Sequence, residues 1–209
     1  PLADAAEAKG IKVYKLNIGQ PNVVTPDSFF EGLHNYKEKI VKYSHSQGIP
    51  QLLESFAKSY QKMGINVKEE DLLITQGGSE AIMFVLMAIC NEGDNILIPE
   101  PFYSNYTSFC QFAGAEVVPI ETTIETSFHL PSKEKIESLI TDKTRAIMLS
   151  NPVNPTGTVY TKDEIEMIAQ IAKEKDIYII ADEVYRQFVY DDIPYTSFMQ
   201  LDDVKDRVI

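Results

Sequence analysis

The chain has 209 residues, 44% of them hydrophobic, with 19 Lys plus Arg against 31 Asp plus Glu and a net charge of −12. That length suffices for one sizeable α/β core, or for one core plus part of a second. The acidic charge is spread along the chain and argues against nucleic acid or an anionic membrane as the main partner, so a phosphate ligand has to be held by local backbone amides and a few cations.

Leu2, Ala5 and Ala6 fall at helical spacing, and residues 13–18, Val-Tyr-Lys-Leu-Asn-Ile, alternate like a short strand. Gly19-Gln20-Pro21-Asn22 breaks that pattern; its glycine permits close approach of a ligand, although a plain turn is the commoner use of such residues. Residues 27–41 are predicted helical, residues 43–48 form a polar loop, and Pro50 suits the first position of a helix running to about Met63. Leu72-Leu73-Ile74-Thr75 reads as a strand, Gly77-Gly78-Ser79 as a turn, and Glu80 to Asn91 as a helix ended by Gly93.

Further strands are predicted at Ile96–Ile98, Val117–Ile120 and Ala146–Leu149, with helices over 104–112 and 132–140 between them. Thr161 and Glu164 have the spacing of a capping box and open a helix that leads to Tyr178-Ile179-Ile180-Ala181. This last run is apolar without alternation, as in a central parallel strand covered on both faces. Strands alternating with helices predict a three-layer α/β/α domain with a mostly parallel sheet. Cys90 and Cys110 lie in apolar segments and are expected to be buried free thiols, which suits a reducing cytosol. The most apolar stretch, Ala81 to Cys90, is too short to cross a bilayer. Arg207-Val208-Ile209 resembles the opening of another buried strand, and the chain starts at Pro1, so both ends are expected to be cuts in a longer sequence.

The conspicuous loops all follow predicted strands, which puts them on one edge of the sheet. Asp182 ends the Tyr178–Ala181 run, and ligands of open α/β sheets bind at that edge. A buried carboxylate that stays ionised can be matched by a protonated heterocyclic nitrogen, the arrangement that tunes pyridoxal phosphate. Tyr185 offers a phenol nearby. Capping of the next element by Asp182 or Glu183 is the plainer alternative. After the 72–75 run, Gly77, Gly78 and Ser79 allow a backbone to pass close to an anion, with free helical amides and a hydroxyl to hold a phosphate. The pattern matches neither the Walker A loop nor the dinucleotide fingerprint. Pro99-Glu100-Pro101 stiffens a loop presenting Phe102 and Tyr103, either as core residues or as a ring to lie on a planar cofactor. Asn151-Pro152 and Asn154-Pro155 fix a turn-rich loop whose amides both donate and accept.

With LNIGQP, KYSHSQGIPQL, ITQGGSEAI, IPEPFYSNY, LSNPVNPTG and IIADEVY in this order, the chain resembles the class I and II aminotransferases of the pyridoxal phosphate-dependent fold-type I superfamily, as their amino-terminal part. The resemblance implies that Gly77, Gly78 and Ser79 cradle the cofactor phosphate and that Tyr103 stacks on its pyridine ring. It implies that Asn154 and Tyr185 bind its phenolic oxygen and that Asp182 keeps its ring nitrogen protonated. Gly19 resembles the position that meets the substrate carboxylate, together with Asn154. Tyr43 resembles a tyrosine lent to the partner's phosphate, which implies a homodimer with shared active sites.

By the same resemblance, residues 1–45 are an amino-terminal segment with small-domain and interface parts, and 46–209 are most of the cofactor-binding large domain. The family's covalently linked Lys, in a Ser-rich motif, and a later Arg for the substrate carboxylate have no match here, so the chain alone is not expected to transaminate. The implied activity of the complete protein is cytoplasmic transfer of an amino group between an amino acid and a 2-oxo acid. A carbon–sulfur lyase of the same fold, acting at Cβ or Cγ of an amino acid, would use the same cofactor contacts. A cofactor-binding effector domain of a transcription regulator is a third reading, without the basic winged-helix segment that would mark it.

Overall fold

A computed structural model describes residues 2–15, 19 and 23–209. The chain divides into two compact units, Pro1–Tyr43 and Ser44–Ile209. The first contains helices α1 (Leu2–Glu7) and α2 (Asp27–His34). Helix α2 is shorter than its amphipathic pattern, because Asn35 closes it and the Tyr36 amide turns back onto the Leu33 carbonyl at 3.3 Å. The strand expected over 13–18 has no ladder partner at 13–15, and 16–18 lie outside the described residues.

In the second unit, α3 (Pro50–Lys62) starts on its proline as expected. It is followed in order by α4 (Gly78–Ile89), β1 (Asn95–Glu100), α5 (Asn105–Phe112), β2 (Glu116–Glu121), α6 (Lys133–Glu137), β3 (Thr144–Ser150), α7 (Lys162–Lys175) and β4 (Tyr178–Asp182). The strands form one four-stranded parallel sheet in the order β2-β1-β3-β4. The 72–75 run is extended but outside this sheet. Its Ile74 amide donates to the Gln47 carbonyl at 2.8 Å, and the Gln47 side chain donates to the Leu72 carbonyl, so a loop serves where a neighbouring strand was expected.

Alternation along each strand sorts the core into two layers. Leu97, Ile147, Leu149 and Ile179 pack with Ile165, Ile168 and Ile171 of α7 on one face. Ile96, Ile98, Met148 and Ile180 pack with α4 and α5 on the other. Helix α7 is fixed at its start by the Thr161–Glu164 capping box, in which each side chain accepts from the other residue's backbone amide. It ends at Asp176, in the left-handed region at φ 56°. Beyond β4, Val208 bridges to Ile179 in parallel sense, as the closing apolar residues suggested. Both cysteines are free thiols, with Cys110 buried in α5 and Cys90 half-buried at the end of α4.

The two edges of the sheet carry differently balanced charge. Where β1 begins, buried Asp94 takes both Nε (2.8 Å) and Nη2 (3.1 Å) of Arg145. That guanidinium, helped by the Asn91 amide, holds the Asp94 carboxyl down at about 2. Asp182 lies at the opposite, carboxyl-terminal edge.

Candidate active site

Strand parity decides where Asp182 points. Ile180 faces α4 and α5, so Asp182, two residues on, leaves the sheet on the same side. There its Oδ2 accepts a hydrogen bond of 2.6 Å from the Tyr106 hydroxyl, within the range of charge-assisted O–H···O⁻ bonds. Its Oδ1 accepts from the Val184 amide at 3.2 Å, and its backbone carbonyl from the Asn151 amide at 3.0 Å. Tyr106 is 1% exposed. Burial pushes its phenol up from the ordinary value, and the charge of Asp182 pushes it further, so the hydroxyl keeps its proton and donates. Among the described residues no Lys or Arg pairs with Asp182, in contrast to Asp94.

Tyr103 stands one helical turn before Tyr106. The two rings meet edge to face at 5.5 Å and 89°, and the Asn105 amide donates to the Tyr103 hydroxyl at 2.7 Å. Phe102 stacks on Tyr106 from another side, with centroids 6.3 Å apart and an interplanar angle of 18°. Both 102 and 103 are half-buried against the α4/α5 layer, so the alternatives of core residue and ring wall merge.

The loop after β3 gives its two asparagines different work. Asn151 is 2% exposed and accepts the Tyr160 amide at 3.1 Å, while Val153 bonds to Thr158 and Gly157 turns back to Val153 with φ at +77°. Asn151 closes the loop, and its buried Nδ2 has no hydrogen-bond partner. Asn154 instead presents its amide to Tyr185, with Nδ2 3.4 Å from the phenol oxygen. Asn154 and Tyr185 are thus brought together at the ends of neighbouring strands β3 and β4, whose Ser150 and Asp182 are in register.

Helix α4 starts at Gly78, two residues earlier than its apolar pattern. Gly77 is its cap, at φ 86° and ψ 172°, a conformation open essentially to glycine alone. The first helical bond runs from the Ala81 amide to the Gly77 carbonyl, so the amides of Gly78, Ser79 and Glu80 precede the ladder. The Gln76 amide is taken by Glu80 Oε2 at 2.6 Å, and a Cβ on Gly78 would meet nothing within 4 Å. Helix α4 leads through a turn into β1, and its Ile82 and Leu86 pack in the same core layer as Ile96 and Ile98 of that strand.

Gly19 and Tyr43 belong to the amino-terminal unit, where both are exposed. Tyr106 was missed by the sequence reading. The available signal was a tyrosine on the buried face of a helix, whose hydroxyl needs a polar partner.

The family described as "Aminotransferase class I and II" matches residues 11–209. The chain belongs to the class I and II aminotransferases. Among curated relatives it is 32% identical to an aspartate aminotransferase of Bacillus sp. (strain YM-2), over 99% of this chain and 53% of the relative. It is 35% identical to an aromatic-amino-acid aminotransferase of Thermococcus litoralis, over 97% and 53% respectively. An aspartate aminotransferase structure from Thermotoga maritima superposes with a TM-score of 0.91 at 32% identity, covering 99% of this chain and 55% of that one. The chain therefore spans about half the length of the aminotransferases it matches. The family is pyridoxal phosphate-dependent, and the donor set here has the chemistry for that cofactor: a carboxylate without a cationic partner among the described residues, an aromatic ring, an amide–phenol pair and first-turn amides beside glycines.

Proposed function

We propose that the complete protein transfers an amino group between an amino acid and a 2-oxo acid using pyridoxal 5'-phosphate. The observation that carries this reading is Asp182: a carboxylate held by two hydrogen-bond donors, with no cationic side chain beside it among the described residues, at the sheet edge where such folds bind ligands. When bound, the cofactor supplies a protonated ring that accepts the electrons released as the amino acid's Cα proton leaves. In that setting Asp182 holds the proton on the ring nitrogen. Tyr103 covers one face of the ring and excludes water from it. Asn154 and Tyr185 donate to the ring oxygen and so fix the ring's orientation. Gly77, Gly78 and Ser79 bind the phosphate through amides and a hydroxyl, local donors that can hold an anion on an acidic chain.

The domain roles belong to the same proposal: 46–209 as the large cofactor-binding domain and 1–45 as the amino-terminal, interface-forming part. Within it Gly19 meets the substrate carboxylate, and Tyr43 reaches the partner's phosphate across a homodimer. The exposure of Tyr43 supports a residue lent outward. The names of the relatives span aspartate, prephenate and aromatic amino acids, which supports amino-acid and oxo-acid substrates without selecting one; the cytoplasm is the compartment proposed for the enzyme.

The test is to incubate the purified complete protein and pyridoxal phosphate with panels of amino acids and 2-oxoglutarate. Glutamate and the matching oxo acid should form together, and neither without the other substrate. Release of oxo acid and ammonia in the absence of an amino acceptor would instead make the enzyme a lyase.

A further inference from the structure

The Tyr106–Asp182 contact extends the proposed function, and the inference drawn from it rests on that reading. Two donors from different elements fix the carboxylate: the Tyr106 hydroxyl of α5 on Oδ2, and the Val184 amide, two residues along the chain, on Oδ1. The second is a local turn that any Asp could make. The first spans 76 residues of sequence and depends on a phenol that is itself clamped, stacked by Phe102 and met edge-on by Tyr103. Such a clamp leaves the hydroxyl little freedom to swing away. We infer that Tyr106 is a positioning residue: its hydroxyl orients Asp182 and draws off part of its negative charge, so that a proton shared between Asp182 and the cofactor ring rests on the ring nitrogen.

Geometry and electrostatics agree on the direction of donation. The phenol is pushed up by burial and by the neighbouring charge, so across the accessible pH range the oxygen carries the proton and the carboxylate receives it. A buried hydroxyl also has few other acceptors to choose from. Removing it leaves the carboxylate with only the Val184 amide, more strongly attractive to the ring proton and free to rotate. The start of α5 and the loop before it therefore serve the site twice within four residues, with Tyr103 as the wall and Tyr106 as the tuner of the carboxylate.

The experiment uses the complete protein in four forms: parent, Tyr106→Phe, Phe102→Leu and Asp182→Asn, with the double variant Tyr106→Phe/Asp182→Asn to close the cycle. Pyridoxal phosphate affinity, the pH midpoint of the bound cofactor's visible absorbance, and the melting temperature without cofactor are measured for each. Tyr106→Phe should move the midpoint, because the carboxylate loses a charge-assisted donor and its own hold on the shared proton rises, and it should weaken affinity about ten-fold, because Asp182 is no longer held in one orientation. Phe102→Leu, which keeps the hydroxyl, should lower the melting temperature and leave the midpoint in place. In the Asp182→Asn background the loss of the hydroxyl should add little, as expected if Tyr106 acts through Asp182.

An unchanged midpoint and affinity in Tyr106→Phe, or full additivity with Asp182→Asn, would reduce Tyr106 to packing and overturn the inference. Should Tyr106→Phe not fold, 3-fluorotyrosine at position 106 keeps the shape and strengthens the donor. It should move the midpoint in a definite sense away from the parent, and no movement overturns the inference. If the parent protein fails to bind the cofactor at all, the proposed function falls and takes the role of Tyr106 with it; binding by the parent with an indifferent Tyr106→Phe sinks only the latter.

Discussion

Asn154 and Tyr185 lie 31 residues apart in sequence, yet the Asn154 amide nitrogen is 3.4 Å from the Tyr185 phenol oxygen. That separation is at the long end of hydrogen bonding, so neither group is committed to the other and both can donate to a shared acceptor. Tyr185 is 38% exposed, which leaves its hydroxyl within reach of a ligand. In the complete protein, Tyr185→Phe should shift the pH midpoint of the bound cofactor's absorbance. It should also weaken cofactor binding by about 1.5–3 kcal/mol if the acceptor is an anionic oxygen. Asn154→Ala should act in the same direction. A profile unaltered in both variants would put the ring oxygen somewhere else.

Asp182 is assigned a charge role, and the size of its effect tests that role. Replacing it by Ala removes the carboxylate proposed to hold a proton on the ring nitrogen. Turnover should fall by roughly 10²–10³-fold, the scale seen when a preorganised electrostatic partner is deleted. Steady-state kinetics with a saturating donor measures this directly. Near-normal turnover of Asp182→Ala would remove the residue from its role, whatever its neighbours do.

The adjacent glycines at the start of α4 separate folding from ligand binding. Gly77 has φ 86° and ψ 172°, so Gly77→Ala forces a side chain into a conformation that costs about 1–3 kcal/mol. Gly78 is already helical, and a Cβ there would meet nothing within 4 Å. Gly78→Ala should therefore leave the melting temperature equal or slightly higher, since Ala is the better helix former. The added methyl would sit where a phosphate approaches the amides, so cofactor affinity should drop. Equal affinity in Gly78→Ala and parent would take the phosphate away from this turn.

Much of this arrangement was legible because strands β1 to β4 are short apolar runs bounded by Gly, Pro or Asp, and a buried parallel strand leaves that trace. Residues 72–75 leave the same trace, yet pair with the Gln47 loop; side-chain pattern reports burial, whereas a strand also requires a backbone neighbour. The start of α4 was placed two residues late because glycines contribute nothing to an apolar stripe, although the helix opens on one. In the site, Asp182 stood out because a charge at the end of an apolar run is conspicuous. Tyr106 did not, since an aromatic three residues after Tyr103 on an amphipathic helix looks like core until its hydroxyl is followed to its acceptor. The two asparagines of the 150–157 loop have the same local Asn-Pro pattern, and the family resemblance alone singled out Asn154. The contact between Asn151 and the Tyr160 amide supplies the physical reason, separating the loop-closing residue from the one that faces Tyr185.

Glu164 tests the fold independently of any ligand. Burial pushes its carboxyl upward, but the amides of Thr161 and Leu130 and the ring of His129 at 2.9 Å more than offset this and hold it below the ordinary value. A carboxyl lowered by folding stabilises the protein fully above the unfolded-state value, and that contribution is lost as pH falls through the lowered folded-state value. Glu164→Gln keeps the shape and mimics the protonated acid. At pH 7 it should cost on the order of 1 kcal/mol, in line with other helix caps, and lower the melting temperature accordingly. As the pH is taken below about 4, the ordinary range for Glu, the two proteins should converge in stability. Thermal melts from pH 7 to pH 3 follow the gap; no gap at pH 7 would mean that shape, and not charge, is what Glu164 contributes to the start of α7, and a gap that stays constant to pH 3 would mean that its ionisation is not the source of the difference.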